Sequence, residues 1–237
     1  MSRMRALLAL SLMGGFATMA SAAILINEVR IDHAGTDTDE YFELSGNAGE
    51  SLAGLTYIVI GDGTNASGNI ERIIPLSGSI PADGYFLGAG DTTINLLPVL
   101  VDQITTPGTD LFENSDNVTH MIVSGFTGVL NSDVDANNDG VFDATFWTSI
   151  VDSIALVEVP AGLPTATDEW YYGPNTIGPD GSFVPGHIWR FGNGNGPWQI
   201  GQFALPGGAD TPGVANLPEP STLALLALAA TAIIRRR

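Results

Sequence analysis

Short apolar runs, each closed by glycine, proline, asparagine or aspartate, recur along the chain. They fall at residues 24–31 (ILINEVRI), 41–44 (YFEL), 55–60 (LTYIVI), 85–87 (YFL), 118–123 (VTHMIV), 153–159 (SIALVEV) and 187–191 (HIWRF). Runs this short, rich in β-branched and aromatic residues and bounded by turn formers, predict β-strands. Several in series predict an all-β sandwich or barrel. Between the chain ends no stretch sustains helical periodicity. Two segments predict loops instead: 110–143, polar and acidic with one strand inside it, and 162–196, dense in glycine, proline and asparagine.

The two ends follow a different pattern. Residues 1–22 begin with Arg3 and Arg5, continue through an apolar stretch at 6–16, and end in Ala20-Ser21-Ala22. That order predicts a secretory signal peptide cleaved before Ala23. At the other end, Pro218, Glu219 and Pro220 precede an uninterrupted apolar and small-residue run at 223–234, followed by Arg235, Arg236 and Arg237. A helix over 221–234 would be about 21 Å long at ~1.5 Å per residue, short of a hydrocarbon core of roughly 30 Å. This predicts a short membrane segment with a basic cytoplasmic stop, suited to transient retention. The tail, 217–237, resembles the PEP-CTERM sorting signal in its Pro-Glu-Pro triplet, apolar helix and terminal arginines. The resemblance implies an exosortase-type processing enzyme as partner, a Gram-negative bacterium that makes exopolysaccharide, and a destination at the cell surface or in the extracellular matrix.

Charge sharpens this division. The 237 residues hold 26 acidic and 8 basic side chains, all of the latter arginine, for a formal net charge of −18. Five arginines lie in the two ends, so 25 of the acidic residues face only Arg30, Arg72 and Arg190 in between. Such a field repels phosphate backbones, and direct nucleic-acid binding is not expected. The absence of cysteine excludes a disulfide framework, a thiolate zinc site and a cysteine nucleophile.

The region 23–216 carries a second resemblance. Ile26-Asn27-Glu28-Val29, then Asp39-Glu40-Tyr41-Phe42-Glu43-Leu44, look like the opening of a lamin-tail domain (LTD). Asp116-Asn117-Val118, Val151 to Leu156 and the closing Asp210-Thr211-Pro212-Gly213-Val214-Ala215-Asn216 also fit. The resemblance implies an immunoglobulin-like β-sandwich acting as an accessory or surface module. The acidic insertion near 110–143 and the loops at 162–196 depart from that pattern.

Candidate chemistry concentrates in Asp133-Val134-Asp135-Ala136-Asn137-Asn138-Asp139-Gly140-Val141-Phe142-Asp143. With Asp135 as position 1 of a calcium loop, Asn137, Asp139 and Asp143 fall at 3, 5 and 9, Gly140 at the sharp turn and the Val141 carbonyl at 7. Position 12 is Phe146 in place of the usual glutamate, with Asp133 or Asp152 as candidate replacements. A structural Ca²⁺ is therefore expected, against the alternative of a solvated Asp/Asn/Gly turn.

The acidic residues Asp32, Asp37, Asp39, Glu40 and Glu43 beside His33 read as a solvated loop and strand start, against the alternative of a second cation site. Glu28 or Glu43 is expected to pair with Arg30 there as a weak exposed ion pair. Trp170, Tyr171 and Tyr172, with Trp189 and Trp198, could stack on sugar rings of exopolysaccharide or other matrix components, or cover the core; Arg190 would stack on an aromatic or pair with a carboxylate. There is no G-x-S-x-G, no H-E-x-x-H and no P-loop, and His33, His120 and His187 lie far apart in sequence. The expectation is a non-catalytic, calcium-stabilised structural or binding module. The alternative is a secreted metal-dependent hydrolase of polysaccharide or phosphodiester.

Overall fold

A computed structural model describes residues 24–35, 40–61, 67–90, 93–94, 97–105, 111–160, 170–192, 194, 196–203 and 210–216. The proposed signal peptide and the 217–237 tail, including Pro218, Glu219 and Pro220, lie outside the described residues, as do Asp37 and Asp39.

The described chain is all-β, with no helix. Its strands are β1 (Leu25–Arg30), β2 (Tyr41–Ser45), β3 (Leu55–Gly61), β4 (Asn69–Pro75), β5 (Tyr85–Ala89), β6 (Thr93–Ile94), β7 (Leu97–Leu100), β8 (Gln103–Ile104), β9 (Val118–Ser124), β10 (Ser149–Leu156), β11 (Thr176–Ile177), β12 (His187–Arg190) and β13 (Trp198–Ile200). One sheet has the order β13-β12-β1-β2-β5-β8 and a second the order β11-β10-β9-β3-β4; β6 and β7 form a separate hairpin. Both large sheets are mixed: β5–β8 and β10–β11 are parallel, the remaining pairs antiparallel.

The apolar core lies between the sheets. Ile26, Val29, Ile31, Phe42, Leu44, Phe86 and Ile188 from the first meet Tyr57, Val59, Ile74, Val118, Ile122, Ile154 and Leu156 from the second. Phe42 and Tyr57 stack across the interface with centroids 4.1 Å apart.

The outward faces are covered too, and this is what builds the candidate sites. On the second sheet, Ile58, Ile60, Ile70, Met121 and Val123 alternate with core residues and form a separate apolar layer with Val134 and Tyr172. That is why β3 is apolar on both faces. On the first sheet the outward layer is polar around Glu28, Arg30 and Glu43 and apolar toward β5, where Leu87 and Ala89 pack with Tyr41, Val99 and Val101. A register shift between Ile26 and Glu28 marks a bulge at Asn27. It turns Glu28 and Arg30 outward while Ile26, Val29 and Ile31 all face the core.

Candidate functional site

The acidic loop 133–143 is fastened to the free edge of the second sheet. Ile70 donates its N–H to Ser132 O at 3.0 Å, Asn131 donates to Ile70 O at 2.8 Å, and Val134 donates to Gly68 O at 2.9 Å. Val134 is fully buried in the outer apolar layer and drags Asp135 in beside it. The buried Asp135 carboxylate then organises the loop: Oδ1 accepts the Asp139 N–H at 3.1 Å and Oδ2 the Gly140 N–H at 2.8 Å. Those amides belong to positions 5 and 6 of the calcium-loop count. Gly140 has φ +81°, a left-handed conformation that a side chain would resist.

Around this anchor the remaining carboxylates hold backbone amides. Asp133 Oδ1 accepts from Asp135 N at 2.9 Å, Asp139 Oδ1 from Val141 N at 3.0 Å, and Asp143 Oδ2 from Asn137 N at 3.1 Å. Asp143 closes the loop by donating its own N–H to Val134 O at 2.8 Å. Among the described residues no ion pair reaches Asp133, Asp135, Asp139 or Asp143. Four carboxylates thus share one curled loop with no basic partner. Phe146, at position 12, packs against the outer apolar layer and supplies no ligand.

The loop and the aromatic trio form one assembly. The Tyr172 hydroxyl donates to Asp135 Oδ2 at 2.9 Å, and its ring stacks on Phe142 at 4.9 Å. Burial and the Asp135 carboxylate both push the Tyr172 phenol well above its ordinary pKa. Trp170 lies against Gly140, where an added Cβ would come within 2.5 Å of the indole. Tyr172 is buried, whereas Trp170 and Tyr171 are half-buried. Trp189 is buried, and Trp198 stacks under the Arg190 guanidinium at 4.6 Å.

Asp152 takes no part in the loop. It accepts both Arg190 contacts, at 2.8 and 2.9 Å, and the Ile26 N–H at 2.9 Å. Arg190 therefore has both an aromatic and a carboxylate partner.

The expectation of an exposed Arg30 pair is overturned, and so is that of solvated side chains at Glu40 and Glu43, while Asp32 is half-buried. Glu28, Arg30 and Glu43 are fully buried and Glu40 nearly so. Segment 210–216 lies over the outward face of the first sheet and shuts them in. Arg30 pairs with Asp210, its Nε donating to Oδ1 at 2.9 Å and Nη2 making a shorter contact, while Nη1 donates to Asp32 O at 3.0 Å. Glu28 accepts the Thr211 N–H at 3.0 Å and the Thr211 hydroxyl at 2.7 Å. Glu43 accepts the Gly213 N–H and, at 2.6 Å, the Asn27 amide. Burial, followed by the Glu28 charge, pushes the Glu43 carboxyl well above its usual range. Glu40 accepts the N–H groups of Leu111 and Phe112.

The same layer contains a cluster invisible in the sequence spacing. His187 Nε2 lies 3.0 Å from Glu28 Oε1 and 3.4 Å from Asp210 Oδ1. Among the described residues these three are the only set of carboxylate and histidine side chains whose ligand atoms all lie within 4.8 Å, an arrangement that could hold a metal ion. The loop carboxylates are not drawn into such a set. His120, by contrast, is a core residue whose Nδ1 shares a hydrogen bond of 2.8 Å with the Tyr57 hydroxyl.

An open groove of about 440 Å³ is lined by Glu71, Arg72, Phe112, Glu113, Asn114, Leu130 and Asn131. Its Glu113 carboxylate already accepts from Ser115 N at 3.1 Å and from the Ser115 hydroxyl.

Comparison with protein-family models, with curated proteins and with solved structures yields no match to this chain.

Proposed function

We propose that this is an exported, non-catalytic protein of the cell surface or extracellular matrix, with an immunoglobulin-like, lamin-tail-type β-sandwich stabilised by Ca²⁺. The observation that carries the reading is the Asp135 loop. A buried carboxylate holds the amides of positions 5 and 6, and Asp133, Asn137, Asp139 and Asp143 surround it without a cationic partner. Hard oxygen donors on a curled loop suit calcium. The missing position-12 glutamate suits the weak class of extracellular sites, with Kd of about 10⁻⁴–10⁻³ M. Export, supported by the sequence of residues 1–22, would supply calcium at that level.

Sorting follows from the tail. Pro218, Glu219 and Pro220 would be gripped by an exosortase-type enzyme while the short apolar helix holds the chain transiently in the inner membrane. The released domain then serves a structural or binding role toward exopolysaccharide or other matrix components, with Tyr171 and Trp170 as the more exposed rings of the 170–172 trio. Fractionation of cells expressing the full chain tests the sorting. Replacing Pro218, Glu219 and Pro220 by alanine should leave the protein unprocessed at the membrane, and unaltered processing and location would refute it. Retention of the full chain on matrix polysaccharide with and without Ca²⁺ tests the binding role. Retention that needs Ca²⁺ is expected; no retention in either condition contradicts it.

A further inference from the structure

We propose that Glu28, His187 and Asp210, joined by the Tyr41 hydroxyl, form a buried structural site for a divalent transition cation of the zinc class, separate from the calcium loop. Each donor comes from a different piece of chain: Glu28 from β1, Tyr41 from β2, His187 from β12 and Asp210 from the closing segment. Such a site exists only in the folded protein, so binding would stabilise the fold and pin segment 210–216 across the sheet.

The spacing of the donor atoms carries the argument. A tetrahedral zinc with bonds of about 2.0–2.1 Å places its ligand atoms about 3.3 Å apart. His187 Nε2 stands 3.0 Å from Glu28 Oε1 and 3.4 Å from Asp210 Oδ1, and Tyr41 Oη stands 3.3 Å from Asp210 Oδ1. The Tyr41 hydroxyl also donates to Glu28 Oε1, a contact tighter than that spacing, so this bond must open for the phenol to join the shell. One imidazole nitrogen with carboxylate and phenol oxygens favours zinc and its neighbours over calcium, which takes six to eight oxygens.

A second observation concerns unmet demand. The Asp210 side chain is fully buried, and its Oδ2 has no hydrogen-bond partner. Arg30, the cation already in the layer, contacts only Oδ1 and spends its other N–H groups on Asp32 O and Gln202 O. The guanidinium thus pairs with Asp210 and makes no ion pair with the buried Glu28, and a buried carboxylate oxygen left without a donor is costly. The surroundings also hold the donors in place. Thr211 donates from both its N–H and its hydroxyl to Glu28. Gly201 leaves room for the His187 ring, because a Cβ there would lie 1.8 Å from Nδ1. The Thr211 donors orient the Glu28 carboxylate as outer contacts orient metal ligands, whereas His187 Nδ1 has no hydrogen-bond partner among the described residues.

Zinc titration of the chelator-treated full chain, followed by calorimetry and zinc-edge X-ray absorption, tests this. The expected result is one tightly held zinc per chain with a single imidazole in its shell. His187→Gln should weaken binding by about 100-fold or more, while Asp139→Asn leaves it unchanged. Absence of zinc binding by the wild-type chain overturns the proposal, as does a shell without imidazole. So does zinc lost in Asp139→Asn but kept in His187→Gln. The absorption spectrum of the wild-type protein decides the matter even if His187→Gln does not fold. Calcium titration of the same proteins reports separately on the Asp135 loop.

Discussion

The Tyr172 hydroxyl donates to Asp135 Oδ2 at 2.9 Å, the hydrogen bond that ties the acidic loop to the aromatic segment 170–172. Asp135 also holds the amides of Asp139 and Gly140, so the same carboxylate sets the loop's curl and seats the Tyr172 ring. Tyr172→Phe would leave the buried carboxylate short of one donor. A hydrogen bond to a charged group contributes about 1.5–3 kcal/mol, and urea denaturation should register a loss of that order. Calcium affinity should fall in the same variant.

Trp170 provides an optical report on the loop because its indole packs on Gly140. Addition of Ca²⁺ to the full chain should change tryptophan emission, and Trp170→Phe should remove most of that change. Emission that responds equally in the variant would place the signal elsewhere.

Gly140→Ala meets two obstacles, a backbone at φ +81° and a contact of 2.5 Å with the Trp170 ring. Left-handed backbone at a non-glycine residue costs on the order of 1–3 kcal/mol, and displacement of the indole adds to it. A thermal midpoint equal to that of the wild type would contradict this packing.

Burial lowers the His120 imidazole from 6.5 to about 3. Its folded pKa lies below its unfolded one, so the unfolded chain takes up the proton first as pH falls. The stability contribution of the neutral ring is full above pH ~6.5 and is lost toward pH 3, at up to about 1.4 kcal/mol per pH unit. Urea denaturation between pH 7 and 4 should show a shallower decline for His120→Gln than for wild type. Parallel declines would show that His120 titrates normally in the fold.

Asp152→Ala would strand Arg190, whose guanidinium is held by both Asp152 oxygens inside the protein. Breaking a buried pair from one side costs about 3–5 kcal/mol. The Ile26 N–H loses its acceptor in the same change, so β1 should show faster amide exchange at that position.

The strands with high apolar density were legible from the sequence. Runs 24–31, 41–44, 55–60, 85–87, 118–123 and 187–191 coincide closely with β1, β2, β3, β5, β9 and β12, and β10 begins four residues before its predicted start. β4 went unseen because it is an edge strand: Glu71 and Arg72 interrupt its apolar pattern and Pro75 ends it. The two-residue strands carry too little pattern to be read. The composition of the acidic loop was legible, and so was its turn at Gly140. Its attachment to Tyr172 was not, since the partners lie 37 residues apart.

The polar layer is buried where its strand pattern predicts exposure, and the reason is physical. Alternation along β1 and β2 marks Glu28, Arg30 and Glu43 as facing away from the core, and an outward face is ordinarily wet. Here segment 210–216 covers it. A signal was present: Asp210 to Asn216 is rich in hydrogen-bonding and turn residues, and the opposite strand positions are ionisable. Only the fold shows that they meet, and that His187 joins them from β12.

Calcium bound at the Asp135 loop should make the stability of the fold depend on calcium. Thermal unfolding of the full chain is to be followed in Ca²⁺ and in a calcium chelator, alongside the Asp139→Asn/Asp143→Asn variant. At Ca²⁺ about 100 times Kd the wild type should gain ~2.7 kcal/mol, a rise in midpoint of roughly 5–10 °C for a domain of this size, and the variant should gain little. Identical wild-type midpoints in Ca²⁺ and chelator would contradict the account.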